Sequence, residues 1–164
     1  MDNIILIGLP GAGKSTVGVI LAKTLGMNFI DTDILIQGRT GMRLQEIIDT
    51  GGIEAFLQIE QDTICSLHCT NTVVATGGSV VLKKPSMEYL KKNGRIVYLK
   101  ITFEEMVQRL SNMTTRGIVF VQGQSLPDMY HQRVCLYERY AEVIIDNSHN
   151  DIERVIRNII RSFP

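Results

Sequence analysis

A glycine-rich turn lies between the first apolar run of the chain and the first segment of helical period. Residues 4–7 are all aliphatic, and residues 8–15 read Gly-Leu-Pro-Gly-Ala-Gly-Lys-Ser, which fits the pattern G-x-x-x-x-G-K-[ST] without deviation. Glycines let the backbone of such a turn curl so that successive N–H groups point at phosphate oxygens, and the following helix adds its positive N-terminal end. The motif, in this strand–turn–helix context, predicts a binding site for a nucleoside triphosphate.

Two side chains of this turn have predicted roles of their own. Lys14 is expected to reach the β- and γ-phosphates, and the Ser15 hydroxyl group is expected to be a ligand of Mg²⁺. The nucleotide-binding residues predicted for this segment are Gly8, Gly11, Ala12, Gly13, Lys14, Ser15 and Thr16.

Short apolar runs alternate with longer segments of helical period along the rest of the chain. Such alternation indicates right-handed crossovers and a parallel sheet between two helical layers. Residues 112–126 form the one long irregular segment and are expected to be a lid. Strands are predicted at residues 4–7, 28–30, 72–76, 95–100 and 143–145, and helices at 14–25, 32–38, 43–50, 52–68, 102–111, 128–139 and 150–162.

Composition limits the possible partners. The chain of 164 residues has 17 Lys and Arg against 17 Asp and Glu, so its net charge would attract neither nucleic acid nor an anionic membrane. Its length is typical of a single domain, and no apolar run is long enough to span a bilayer. Three cysteines and the lack of a signal-like first segment favour a reducing compartment. We therefore expect a cytoplasmic, monomeric protein with one domain over residues 1–164.

Two acidic residues end the second predicted strand. Asp31 and Asp33 would lie beside the glycine-rich turn, at the sheet edge where doubly wound proteins bind ligands. In extended backbone both side chains would point to one face, so that one could serve Mg²⁺ and the other a substrate hydroxyl group. The alternative is that these acids simply cap the following helix.

The order of these motifs resembles the shikimate kinase family over essentially the whole chain. Besides the glycine-rich turn and the acidic pair, the likeness rests on Glu54-x-Phe56, Ala75-Thr76-Gly77-Gly78 and an Arg-rich late segment. The resemblance implies a three-layer αβα P-loop NTPase fold of the nucleoside-monophosphate-kinase type. That fold has a five-stranded parallel sheet, a helical substrate-binding region, here residues 32–68, and the lid at 112–126. It also implies transfer of the γ-phosphate of ATP to the 3-hydroxyl group of shikimate.

The resemblance assigns roles to the acids and glycines by their position in the motifs. Asp33 would accept a hydrogen bond from the acceptor hydroxyl group and act as base, and Asp31 would hold Mg²⁺ through water. Gly77 and Gly78 would offer backbone N–H groups to the substrate.

Three arginines are assigned in the same way. Arg133 would bind the substrate carboxylate, Arg116 would fold over the transferring phosphate from the lid, and Arg109 would lie near adenine. The implied catalytic residues are thus Lys14, Asp33 and Arg116. Phosphoryl transfer requires cations around the negative charge that spreads over the phosphate oxygens in the transition state.

One position departs from the family pattern in a way that bears on the substrate. Leu57 stands where the family has an arginine that shares the substrate carboxylate with Arg133, and Ser79 replaces a third glycine. Leucine cannot donate a hydrogen bond to a carboxylate. The substrate would therefore lose about 2 to 3 kcal/mol of binding free energy unless Arg39 or Arg43 takes the place of the missing arginine.

The identity of the phosphate acceptor therefore stays open. The chain could phosphorylate shikimate, or another small alcohol such as homoserine or a sugar acid. A nucleotide-binding relative without turnover would have no need for Asp33, and a nucleoside monophosphate kinase fits the acidic pair less well.

Three potential metal ligands recur at helical spacing. Cys65, His68 and Cys69 are spaced at i, i+3 and i+4 and would share one face of a predicted helix. A fourth ligand at suitable spacing is missing, so packing is favoured over a metal site.

Overall fold

A computed structural model describes residues 2–111, 118–120, 123–149 and 151–163. The strands within these ranges are β1 (Asn3–Ile7), β2 (Asn28–Asp31), β3 (Thr72–Ala75), β4 (Gly94–Lys100) and β5 (Val143–Asp146). They form one parallel sheet in the order β2-β3-β1-β4-β5, which confirms the predicted α/β fold. Every residue of β1 and β3 is buried because helices cover both faces of the sheet.

Helices connect the strands, and their ends follow from local sequence. The Ser125 hydroxyl group accepts a hydrogen bond from the Asp128 N–H group at 3.2 Å, and Gly26 ends a helix in left-handed conformation. No helix in the described ranges combines the length and apolar character that a membrane crossing requires. The helices are α1 (Lys14–Leu25), α2 (Thr32–Thr40), α3 (Leu44–Cys65), α4 (Lys84–Asn93), α5 (Phe103–Ser111), α6 (Leu126–Tyr140) and α7 (Ile152–Ser162), with a 3₁₀ turn at Val80–Leu82.

The strand register brings the predicted ligand-binding segments to one edge of the sheet. Leu6 of β1 and Asp31 of β2 both pair with Ala75 of β3. The glycine-rich turn follows β1, and residues 76–78 follow β3. Both segments therefore meet Asp31 at the carboxyl edge of the sheet, where parallel sheets bind their ligands.

A second, smaller apolar cluster lies away from the main core and beside this edge. We call it the α2–α3 cluster; its buried members are Ile36, Ile47, Phe56, Leu57 and Val119. Val119 belongs to the predicted lid segment and packs on the helices predicted to bind substrate, whereas its neighbours Ile118 and Phe120 pack against the main core.

Two segments differ from their sequence prediction. No element is predicted for residues 77–94, yet α4 lies there, with Pro85 in its first turn and Met87 and Leu90 buried. The helices predicted at 43–50 and 52–68 are both present within α3, on either side of the non-helical backbone of Gly52 (φ 84°, ψ 170°), but the second ends at Cys65 and not at residue 68.

Candidate active site

The glycine-rich turn is held in shape by a side chain from late in the chain. Gly13 has left-handed backbone (φ 86°), and a Cβ atom there would lie 2.8 Å from Asn147 Nδ2. The same amide group donates to the Ala12 carbonyl group at 2.7 Å. Because α1 begins directly after this turn, the N–H groups of its first residues, including that of exposed Thr16, lie at the turn.

Arg109 is a second support of the turn. Its Nη1 atom donates to the Gly11 carbonyl group at 2.9 Å and its Nη2 atom to the Asn147 carbonyl group at 2.7 Å. Its Nε atom donates to Glu105 at 2.8 Å. The guanidinium group thus joins the turn to the segment after β5, and its contact with adenine stays a prediction. Asn147 belongs to no sequence motif, and its role is visible only in these contacts.

Lys14 and Ser15 begin α1 and have different surroundings. Lys14 is buried, and its Nζ atom donates to the carbonyl groups of Gly8 at 2.7 Å and Leu9 at 2.8 Å. The Ser15 hydroxyl group donates to Asp31 Oδ2 at 2.6 Å. The ammonium group therefore lies against the phosphate-binding turn, and the hydroxyl group lies against the end of β2.

Of the two aspartates only Asp31 lies in extended backbone, so the prediction that both do is wrong. Strand β2 ends at Asp31, and Asp33 lies in the first turn of α2. Asp31 Oδ1 accepts hydrogen bonds from the N–H groups of Asp33 at 2.9 Å and Ile34 at 3.4 Å. Asp31 consequently caps the helix with one oxygen and holds Ser15 with the other, while the start of the helix directs Asp33 into a neighbouring cavity.

This cavity, of about 50 Å³, lies between the glycine-rich turn and residues 76–79. Gly77 and Gly78 allow the close approach of its walls. A Cβ atom on Gly78 would lie 2.7 Å from Pro10 Cδ, and one on Gly77 would lie 2.9 Å from Asp33 Oδ1. The predicted site residues that line the cavity are Gly11, Gly13, Lys14, Ser15, Asp33, Gly77, Gly78 and Arg133.

Arg133 is a deeply buried cation in the wall of the cavity. Its side chain is 1% exposed, and its Nη2 atom donates to the Val119 carbonyl group. The guanidinium group also hydrogen-bonds to the Tyr137 hydroxyl group, whereas Nε has no partner among the described residues. A buried guanidinium group with hydrogen-bonding capacity left over is suited to an anionic ligand.

Comparison with known proteins identifies the family. A family model described as shikimate kinase matches residues 10–164. The shikimate kinase of Caldanaerobacter subterraneus subsp. tengcongensis is 37% identical over 99% of this chain and 96% of its own length. The shikimate kinase of Acinetobacter baumannii, solved in complex with shikimate, is 32% identical at a TM-score of 0.89 over 98% of this chain and 92% of its own. The chain belongs to the shikimate kinase family. It is an ATP-dependent small-molecule kinase.

Membership of the shikimate kinase family confirms the resemblance in the motifs and the predicted P-loop fold. A gluconokinase from Sinorhizobium meliloti is 18% identical over 98% of this chain and 90% of its own, at a TM-score of 0.55, which shows a common fold alone. The roles of individual residues rest on the geometry of the site.

Leu57 is buried and is not among the residues that line the cavity. It is 6% exposed and packs in the α2–α3 cluster. Neither candidate replacement for its missing charge lines the cavity, since Arg39 is exposed and donates to Ser66 at 2.8 Å and Arg43 is exposed at the start of α3. Among the described residues, Arg133 is thus the arginine in the cavity wall.

A second carboxyl group, which the sequence motifs do not single out, lies beside Asp33. Glu60 is 2% exposed, and the Ser79 hydroxyl group lies 3.0 Å and 2.9 Å from its two carboxyl oxygens. Burial, with a smaller contribution from the charge of Asp33, raises the pKa of Glu60 to about 8 against the lowering effect of the Ser79 hydrogen bond. Glu60 is therefore mainly protonated at pH 7. A glutamate on a helix normally faces solvent, so the sequence gives no signal for this arrangement.

The oxygen atoms next to the turn fit Mg²⁺. Ser15 Oγ and Asp31 Oδ2 lie 2.6 Å apart, and both side chains are partly exposed. Mg²⁺ prefers oxygen ligands and usually combines one or two protein oxygens with water and substrate phosphates. Within the described ranges, no three His, Cys, Asp or Glu side chains are grouped so that they could hold a metal ion.

Two groups of predicted residues lie elsewhere. Arg116 falls outside the described residues, as do 112–117 and 121–122 of the predicted lid, so its role stays a prediction. Cys65, His68 and Cys69 do not share a helix face, because α3 ends at Cys65. His68 is exposed and the two thiols are partly exposed.

Proposed function

We propose that this kinase transfers the γ-phosphoryl group of ATP to a hydroxyl group of shikimate. The observation that carries the proposal is the single cavity lined by Lys14, Asp33 and Arg133. These side chains offer a cation for the phosphates, a carboxylate for the acceptor hydroxyl group and a cation for the acceptor carboxylate. The relative from A. baumannii, which was solved in complex with shikimate, supports this acceptor.

On the donor side, the backbone of the glycine-rich turn and the start of α1 bind the phosphates. Their N–H groups supply hydrogen bonds, and Lys14 supplies a positive charge at the same place. Asn147 and Arg109 hold the turn through its carbonyl groups, so that the N–H groups are oriented before the nucleotide binds. Arg109 would in addition border adenine.

On the acceptor side, Arg133 binds the carboxylate of the substrate, and the N–H groups of Gly77 and Gly78 bind its other oxygens. Asp33 accepts the hydrogen bond from the reacting hydroxyl group. The proton of that group moves to Asp33, its oxygen forms the new bond to the γ-phosphorus, and the bond to the β–γ bridging oxygen breaks. ADP leaves with the negative charge, and Asp33 returns its proton to solvent.

Ser15 and Asp31 would hold Mg²⁺, Asp31 through a water molecule. The ion supplies charge neutralisation of the phosphate oxygens when bound. Arg116 would add a cation over the γ-phosphate from the lid. Within the proposal, residues 1–164 are one domain, residues 32–68 are its substrate-binding region and residues 112–126 are its lid. The protein acts as a cytoplasmic monomer on a small molecule, without nucleic-acid or membrane partners.

A second candidate acceptor is favoured by the α2–α3 cluster. Phe56 and Val119 of this cluster line the cavity, and Leu57, where the family pattern has an arginine, packs in the same cluster. Another small alcohol, such as homoserine or gluconate, would not require an arginine at position 57.

Coupled ADP release from ATP and Mg²⁺ tests the proposal. The assay compares shikimate, homoserine, gluconate, AMP and no acceptor at equal concentration. We expect shikimate to accelerate ADP release above the rate without acceptor, and the other compounds to do so less. Acceleration by homoserine or gluconate alone would favour the second candidate, and a flat response to every compound would exclude both.

A further inference from the structure

Tyr137 lies next to the cavity but is not one of the residues that line it. It is fully buried in α6, one helical turn after Arg133. Its ring stacks on that of Tyr98 in β4, with centroids 5.0 Å apart and an angle of 29° between the planes. The ring is thereby fixed between the sheet and the helix, which leaves the position of its hydroxyl group well defined.

The Tyr137 hydroxyl group uses both of its hydrogen-bonding capacities on groups of the acceptor side. It donates its proton to the Gly78 carbonyl group, and its oxygen accepts a hydrogen bond from the Arg133 guanidinium group. One phenol thus joins the backbone segment of Gly77 and Gly78 to the buried cation. Burial also raises the pKa of Tyr137, so the group keeps its proton under all ordinary assay conditions.

The neighbouring Tyr98 provides an internal comparison. Its ring belongs to the same stack and is equally buried, but its hydroxyl group has no hydrogen-bond partner among the described residues. The two phenols therefore differ mainly in what their hydroxyl groups contact. A functional effect found at Tyr137 and missing at Tyr98 can be assigned to the contacts with Gly78 and Arg133.

We propose that Tyr137 is a positioning residue of the acceptor site, which fixes Arg133 relative to the backbone of Gly78. The inference rests on the proposed function, because it takes these two groups to bind the acceptor. Loss of the hydroxyl group frees the guanidinium group to move against the glycine segment. The acceptor then meets two binding groups that are no longer held at a fixed separation. The hydrogen bonds that this hydroxyl group makes with described residues go to Gly78 and Arg133 and not to the glycine-rich turn, so nucleotide binding is expected to be unaffected.

The test compares Tyr137→Phe with Tyr98→Phe, since each variant removes one buried hydroxyl group from the same stack. We expect Tyr137→Phe to raise the KM for shikimate about 10-fold, which corresponds to about 1.4 kcal/mol. Its KM for ATP should stay within about twofold of the wild-type value, because Tyr137 lies outside the proposed nucleotide site. Tyr98→Phe should leave both KM values unchanged.

Equal KM values for shikimate in the two variants would overturn the inference, and so would a parallel rise in both KM values of Tyr137→Phe. A loss of folded protein does not obscure this result, because KM is independent of the active fraction. If the wild type phosphorylates no acceptor, the proposed function and this inference both fall. If the wild type is active and Tyr137→Phe has the wild-type KM, this inference alone falls.

Discussion

Burial of the Glu60 carboxyl group makes the stability of this kinase depend on pH, and Glu60→Gln should remove that dependence. The side chain is 2% exposed and hydrogen-bonds to the Ser79 hydroxyl group. Glutamine has the shape of the protonated acid and can still accept a hydrogen bond from Ser79. The variant therefore imitates the neutral form at every pH.

The sign and size of the effect follow from proton linkage. Burial raises the pKa of Glu60 from 4.5 to about 8, so the folded protein keeps a proton that the unfolded chain has lost. This contribution to stability is fully present below pH 4.5 and is lost as the pH rises to about 8. At about 1.4 kcal/mol for each unit of pKa, the whole loss is about 5 kcal/mol, of which about 3 to 4 kcal/mol falls between pH 5 and pH 8.

Urea unfolding followed by circular dichroism at pH 5, 6, 7 and 8 measures this effect. We subtract the free energy of unfolding of Glu60→Gln from that of the wild type at each pH. This difference contains only the titration of Glu60, because the titrations of all other groups cancel. That difference should fall by about 3 to 4 kcal/mol over the range. Glu88→Gln is the matched control, since the Glu88 side chain is 62% exposed and pairs with Lys84 at the surface. Parallel curves for the wild type and Glu60→Gln would refute the reasoning.

Two further substitutions test the acceptor site. Asp33→Asn should lower kcat at least about 100-fold and leave the KM for ATP nearly unchanged in the ADP-release assay, because the amide cannot accept the hydroxyl proton. Turnover equal to that of the wild type would remove Asp33 from this role. Leu57→Arg should lower the KM for shikimate up to about 30-fold, or about 2 kcal/mol, with Leu57→Met as the uncharged control. An unchanged or higher KM would indicate that the α2–α3 cluster serves a different acceptor.

The sheet could be predicted from sequence because its strands are short, apolar and buried on both faces. Each of the five predicted strands is present, and the alternation with helices correctly implied parallel pairing. Helix α4 was harder to predict, because residues 84–93 carry several charges and few apolar residues. The end of α3 at Cys65 was also missed, since the sequence there has neither glycine nor proline to stop a helix.

The nucleotide-binding turn could be predicted because its chemistry lies in one continuous motif. The acidic pair shows the limit of such reasoning, because the helix predicted at 32–38 is present as α2 and includes Asp33, which the extended backbone assumed for the pair leaves out of account. The contacts of Asn147, Glu60 and Tyr137 join residues that are distant in the chain. Such contacts depend on the packing of whole elements, which local patterns do not contain.

The central claim is that the phosphoryl group passes across the cavity between Lys14 and Asp33 to an alcohol rather than to water. The most direct measurement is the amount of phosphorylated shikimate, by ³¹P NMR, for each molecule of ADP formed by the wild type. The account predicts that the two products appear in equal amounts and that ADP formation nearly stops without shikimate. ADP that accumulates in the presence of shikimate without a new phosphate ester would contradict it.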